Sequence, residues 1–415
     1  MSGTNTDRIA LALITRYLNN PSPITRFLKN AQAYGHYIDR VIVAYSHGVE
    51  EEVVEELRAW VPVDIVCAHN DLQMRLRLLD LGLQPSEVEG LLVVPSWPCH
   101  NEVPYGAYRN TALIKAMLEG MDYILFFDDD IYPKVLLAHD TGEIAWETID
   151  FVGNHMDYLS EPDITATTSD YSGYYIIPPM VYEGLDELLI GLFKGSAIEY
   201  MNSSESHRCL VFGPAIPENV KSTSKLLGGN LGLDLKMPWH LAPFFSTTYM
   251  FGEDCILGRG EDTLLGQAIK ESGGSALDID LRVFHNTFHD FPIEPDIHQK
   301  TTANRFYRAC LGWIGRNPFL TWFMERNGWV ESSFEEEISH QRIGLVSGGV
   351  KTAEYLNDSR FERLPYALDA AMVSLPDMIT RYERLRDGWT ALIEFLATSP
   401  ISGDFDEGEE LKLAS

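Results

Sequence analysis

Residues 123–130 read YILFFDDD, an apolar and aromatic run that ends in three consecutive aspartates. Adjacent carboxylates repel one another, and none can be buried without a partner, so the triplet either faces water or lies beside something positive. In extended backbone, side chains two residues apart share a face, which puts Asp128 and Asp130 on one side and Asp129 on the other. Two carboxylates pointing one way at the end of a strand suit a hard divalent cation that bridges to phosphate oxygens. The competing reading is a solvated turn ahead of Pro133. A turn needs one Asp, however, and three add a repulsion that no turn geometry requires.

Four other segments carry groups capable of chemistry. GAYRNTALIKA places Arg109 near the start of a helix, where a guanidinium assisted by the helix dipole can grip a diphosphate with two hydrogen bonds; an ordinary surface arginine fits equally well. LLGGNLGL contains Gly229, which lets backbone approach a ligand closely, and Asn230, whose amide can bind hydroxyls; a plain loop also explains the glycines. GRGEDTLLGQAI opens a helix on Glu261 and Asp262, as a positioned base or as first-turn acids favoured by the macrodipole, and both can hold together. An earlier copy, Glu253 and Asp254 in MFGEDCI, leaves that assignment open, although TLLGQAIKE makes the better helix behind the second pair. DLRVFHNTFHDF offers His285 and His289 as metal ligands, against the usual structural role of a lone histidine.

The elements that must hold these groups begin with a β-α-β-α-β rhythm. IALALITRY, DRVIVAYSHG and VDIVCAH read as strands, separated by helix-like SPITRFLKNAQAYG and VEEEVVEELRAW. Continuous apolar strands argue for a parallel sheet covered on both faces. LLVVPSW is a further strand candidate, and YGAYRNTALIKAMLEG reads as a helix that feeds the strand YILFF. Its carboxyl end is where open α/β sheets bind ligands. AWETIDFVGNHMDYL is expected as a helix, and DITATTS and LDIDLRVF as strands. From about Gln299 the pattern becomes helical. The expected division is a catalytic unit over 1–297 (halves about 8–135 and 136–297), a helical region over 298–402 and an acidic tail over 403–415.

The 415 residues are 45% hydrophobic and 22% charged, ordinary for a packed globular chain. With 32 basic and 61 acidic residues the formal charge is −29, which argues against nucleic acid or anionic membrane as partner. A nucleotide ligand then requires local positive charge or a metal ion. No apolar run is long enough to span a bilayer, and the amino end lacks the layout of a secretion signal. Five scattered cysteines without a C-x-x-C pair argue against a disulfide framework and for a reducing, cytoplasmic setting.

An apolar strand ending in Asp-x-Asp, following such a start, resembles the nucleotide-sugar-dependent glycosyltransferases of the GT-A fold. The order of the motifs carries that resemblance over residues 8–290. It implies a Rossmann-like, mostly parallel α/β sheet flanked by helices, with the C-terminal helices as an extension. It further implies donor contacts from Asp128 and Asp129, a metal held by Asp130 and by His285 or His289, and Arg109 on the diphosphate. Gly229 and Asn230 would lie beneath the transferred sugar, and Thr15 and Arg16 beside the nucleobase. Asp262, or else Glu261, would be the base acting on the acceptor hydroxyl. The cofactor implied is Mn²⁺ or Mg²⁺, with carboxylate plus imidazole favouring Mn²⁺. The partners implied are a UDP- or GDP-linked sugar and a hydroxyl-bearing acceptor, with a homodimer through the helical region as a further expectation. An inverting reaction is the first expectation. A retaining transferase, a sugar-nucleotide pyrophosphorylase and a non-catalytic nucleotide-sugar-binding protein are the alternatives.

Overall fold

The apolar runs of the first third are strands because both of their faces are covered. In the strand Tyr123–Asp128, every residue before the aspartate is buried. Tyr123, Leu125 and Phe127 pack on one side with Phe27 and Phe151, while Ile124 and Phe126 pack on the other with Phe244 and Leu265. The period of two that alternates side chains across a strand thus divides the core into two layers.

This architecture comes from a computed structural model describing residues 7–69, 71–92, 103–138, 144–195, 197, 198, 201 and 209–398. An 8-stranded sheet runs in the order Lys221–Ser222, Ser275–Asp278, Ile164–Thr168, Asn230–Asp234, Tyr123–Asp128, Ile9–Ile14, Arg40–Tyr45 and Val63–Cys67. Tyr123–Asp128 lies near its middle. It is parallel to Ile9–Ile14, with Asp128 opposite Ile14, and antiparallel to Asn230–Asp234, with Phe127 opposite Asn230. The strands from Tyr123 to Cys67 are mutually parallel, as the opening rhythm predicts. The fold class expected from the sequence is the one observed.

Several local expectations change. AWET forms a strand, Ile144–Thr148, and the helix starts only at Phe151, where the Asp150 side chain accepts from the Gly153 amide. LDIDLRVF splits into strands Ser275–Asp278 and Val283–His285, with Asp280 at positive φ between them. LLGGNLGL contributes the central strand Asn230–Asp234 rather than a loop alone. Most of LLVVPSW, and Cys99, lie outside the described residues. Cys255 is disulfide-bonded, contrary to expectation, whereas Cys67 and Cys310 are free thiols.

The C-terminal helices Lys300–Arg326, Phe334–Leu356 and Leu364–Thr398 do not stand apart from the sheet. Phe306, Leu345 and Trp389 belong to the same buried cluster as Ile124 and Phe126, so one core crosses the boundary expected near residue 297. The segment LGWIGRNPFLTWFM is buried within this packing except for the partly buried Trp322 and Met324, and its helix continues through Pro318. Among the described residues, no helix is long and apolar enough to cross a membrane.

Candidate active site

Asp128 ends its strand at the carboxyl edge of the sheet, and the backbone turns at once into the short strand Ile131–Tyr132. That strand pairs antiparallel with Val283–His285, His285 standing opposite Ile131. The pairing brings His285 Nε2 to 3.0 Å from Asp130 Oδ2 across 155 positions of sequence. Burial alone would raise the Asp130 carboxyl, but the hydrogen bond and charge of His285 hold it below the ordinary aspartate value. Asp129 behaves oppositely. Desolvation, then the neighbouring charges of Asp130 and Asp128, push its carboxyl up, which is the repulsion inherent in three adjacent acids.

Asp128 takes a different partner. Arg109, 3% exposed on the helix Tyr105–Leu118, donates from Nη2 to Asp128 Oδ1 at 2.9 Å and from Nη1 to the Gly228 carbonyl at 2.7 Å. Its Nε lies 3.4 Å from Glu261 Oε1. The guanidinium therefore ties the aspartate triplet to the start of the helix Glu261–Glu271, and the charge of Asp128 above all keeps it protonated despite its burial. Glu261 is buried, and burial followed by the adjacent Asp262 charge pushes its carboxyl up to about 7. Asp262 is only partly buried. Its Oδ2 accepts from the Gly228 amide at 3.0 Å and its Oδ1 from the Thr263 amide at 2.7 Å.

Asp130 and His285 fit a divalent cation by donor chemistry: an ionised carboxylate beside an imidazole, at a strand end with further carboxylates on hand. Among the described residues no group of three or more such side chains forms a complete metal site. A cation here would take its other ligands from water or from a bound oxyanion. His289 is exposed on a turn at positive φ, where its charge acts on both Asp129 and Asp130, and it makes no contact comparable to that of His285. Two cavities among the described residues, of about 340 and 270 Å³, lie elsewhere: neither is lined by Asp128, Asp130, Asp262 or His285.

No protein-family model matches the chain, and no curated protein sequence does. Among solved structures, the chain is similar to the mannosyltransferase PcManGT from Pyrobaculum calidifontis in complex with GDP-Man and Mn²⁺. That match has 12% identity and a TM-score of 0.39, covering 90% of this chain and 88% of that one. It is also similar to glucosyl-3-phosphoglycerate synthase from Mycobacterium tuberculosis in complex with phosphoglyceric acid. There the identity is 13% and the TM-score 0.35, over 79% of this chain and 82% of that one.

Two sequence expectations are corrected by the packing. Arg109 is not a free fork at a helix start: it sits in the second turn with its guanidinium enclosed by Asp128, Glu261 and the Gly228 carbonyl. Asn230 is not open to a sugar. It is fully buried, its Nδ2 donates to Ser169 O and Leu281 O, and its Oδ1 faces His155 Nε2 at 3.1 Å. The glycines before it serve this packing: a Cβ on Gly229 would sit 2.6 Å from Asp128 Oδ2, and one on Gly228 2.5 Å from Arg109 Cζ. The structure separates the duplicated acidic pairs as well. Glu261 and Asp262 reach Arg109 and Gly228, while Glu253 and Asp254 are exposed on the hairpin of Thr248–Phe251 and Asp254–Leu257.

Thr15 lies beside the triplet, 3.5 Å from Asp129 Oδ2, and Arg16 is exposed in the same loop. Arg26 is a contributor that the sequence does not flag. Its guanidinium stacks 3.8 Å from the Tyr132 ring centroid and donates to the Asp129 carbonyl, bracing the acidic turn. Tyr171 is another: its phenol oxygen accepts from the Gly229 amide, and its ring lies 4.8 Å from that of His285. Neither position has a motif that would have revealed it.

Proposed function

We propose that the chain is a metal-dependent glycosyltransferase that moves a sugar from a nucleoside diphosphate to an acceptor hydroxyl. One observation carries this reading. At the carboxyl end of the central strand, Asp130 meets His285 while Asp128 is tied through Arg109 to the segment bearing Asp262. A candidate cation-binding pair and a candidate base are therefore both linked to the carboxyl end of one strand.

Asp130 and His285 would hold Mn²⁺ or Mg²⁺, which when bound supplies positive charge to a diphosphate leaving group. Arg109 positions rather than reacts. It fixes the Asp128 carboxylate and the amino end of the helix Glu261–Glu271 relative to each other. Asp262 is the proposed base, because Glu261 is buried against Arg109 and holds its proton up to about 7. Proton removal by Asp262 as the hydroxyl attacks the anomeric carbon would invert that centre. Thr15 and Arg16, at the loop following the first strand, are the proposed nucleobase side. The test is nucleoside diphosphate release from UDP-, GDP- and dTDP-sugars with Mn²⁺ across an acceptor panel, with the product anomer read by NMR. Absence of release from every donor would overturn the reading, and a retained anomer would remove the inverting course.

A further inference from the structure

For a chain of net charge −29, the surroundings of Asp262 are unexpectedly cationic. Lys194 and Arg316 lie in its field with Arg259 beside them, Arg305 stands beyond Arg259, and none of the four forms an ion pair with a carboxylate among the described residues. Three positions on the helix Lys300–Arg326 explain how. Arg305, Gly312 and Arg316 are spaced by seven and four residues, so they share one helical face. At Gly312 the preceding loop lies directly on that face. The Gly312 carbonyl accepts from the Arg259 amide at 2.9 Å, and a Cβ on Gly312 would meet Arg259 Cγ at 2.5 Å. One step along, a Cβ on Gly260 would lie 2.9 Å from Arg316 Nη1. The guanidinium of Arg316 is thus packed beneath the residue that immediately precedes Glu261 and Asp262. Lys194 approaches from the opposite chain segment, its ammonium 4.6 Å from the ring of Trp313 on the same helix.

These cations are kept at a cost. Arg316 is 4% exposed, its Nε has no hydrogen-bond partner, and its Nη2 meets only the neutral Asn317 side chain. Burial, then the charge of Arg316, pushes the Lys194 ammonium down to about 7, and Arg259 also acts against it. Burial and Arg259 likewise lower Arg305. Desolvated like charges without a counter-ion destabilise a fold, and a bound anion relieves that. The strip also has a direction. Arg305 stands in the field of Asp130, whereas Lys194 and Arg316 stand in the field of Asp262.

We infer that Lys194, Arg259 and Arg316 form a subsite for an anionic group, phosphate or carboxylate, carried by the acceptor, and that this group sets the acceptor hydroxyl against Asp262. The inference rests on the glycosyltransferase reading, with Arg305 facing the donor end. It is tested on the full chain by titrating inorganic phosphate calorimetrically into wild type, Lys194→Gln and Arg259→Gln, two changes at incompletely buried positions. UDP and GDP are titrated with Mn²⁺ in parallel. Saturable phosphate binding that weakens at least tenfold in both variants, with nucleotide affinity unchanged, is expected. In turnover, glycerol 3-phosphate and glycerate are compared with glycerol; only a charged member should drive nucleoside diphosphate release, and which one does so separates phosphate from carboxylate. Phosphate binding that is absent, or equal in all three proteins, overturns the inference. So does a parallel loss of nucleotide affinity, which would assign the strip to the donor diphosphate. Phosphate binding that falls in the variants while no nucleotide binds wild type keeps the anion site and overturns the transferase reading instead.

Discussion

Replacing Glu261 by Gln isolates the electrostatics of the site in one change. Burial and Asp262 raise this carboxyl from 4.5 to about 7 against the opposing pull of Arg109. In the unfolded chain the group ionises near 4.5, so between that pH and about 7 the folded state binds the extra proton. Stability therefore falls as pH rises through this window; the penalty is absent below it and complete above it. At about 1.4 kcal/mol per pH unit, the gap is worth about 3 kcal/mol. The neutral amide introduced by E261Q carries no such penalty, and its oxygen can still accept from Arg109. Urea denaturation followed by tryptophan fluorescence should find E261Q more stable than wild type by up to about 3 kcal/mol at pH 8, with the difference closing toward pH 4.5. A difference that does not vary with pH, or a wild type that is the more stable at pH 8, would show that Arg109 holds Glu261 ionised and would refute the reasoning. The same variant should retain turnover.

Asp262→Asn, by contrast, should lower turnover by roughly 10²–10⁴-fold with nucleotide affinity preserved, as loss of a general base does; a loss confined to E261Q would move the base to Glu261. Asp130→Ala should abolish Mn²⁺-dependent nucleotide binding without altering the circular dichroism spectrum, and retained Mn²⁺ dependence in calorimetry counts against the metal role. Asn230→Ala leaves the Ser169 and Leu281 carbonyls and the His155 ring nitrogen without their partner inside the core. At about 1–3 kcal/mol for an unsatisfied buried group, its urea midpoint should fall clearly. An unchanged midpoint with weakened donor binding would return Asn230 to the sugar.

Much of this protein is written locally. The apolar runs with their intervening amphipathic segments specify strands and helices because burial on two faces or on one stripe leaves a periodic signature. The aspartates at 128–130 announce themselves because like charges at a strand end demand an explanation that neighbours in sequence do not supply. His285 stands out as well, as a ligand type at the close of an apolar segment. None of these signals reports which partner a side chain will meet. Arg109 reads as a ligand-binding fork because its sequence neighbours place it on a helix, and only the approach of Gly228 and Glu261 from over a hundred residues away encloses it. Asn230 reads as a loop amide, and only its strand's insertion beside Tyr123–Asp128 buries it. The cationic strip is the extreme case. Arg305 and Arg316 are legible as arginines in an apolar helix, but the meeting of Arg316 with Lys194 and Asp262, and of Arg305 with Arg259, depends on how that helix packs against the hairpin of Thr248–Phe251 and Asp254–Leu257 and the loop after it. Periodicity and charge are properties of adjacent residues and survive in one dimension. Burial, pairing and the field at a carboxylate are set by contacts that close large loops, and those exist only once the chain has folded.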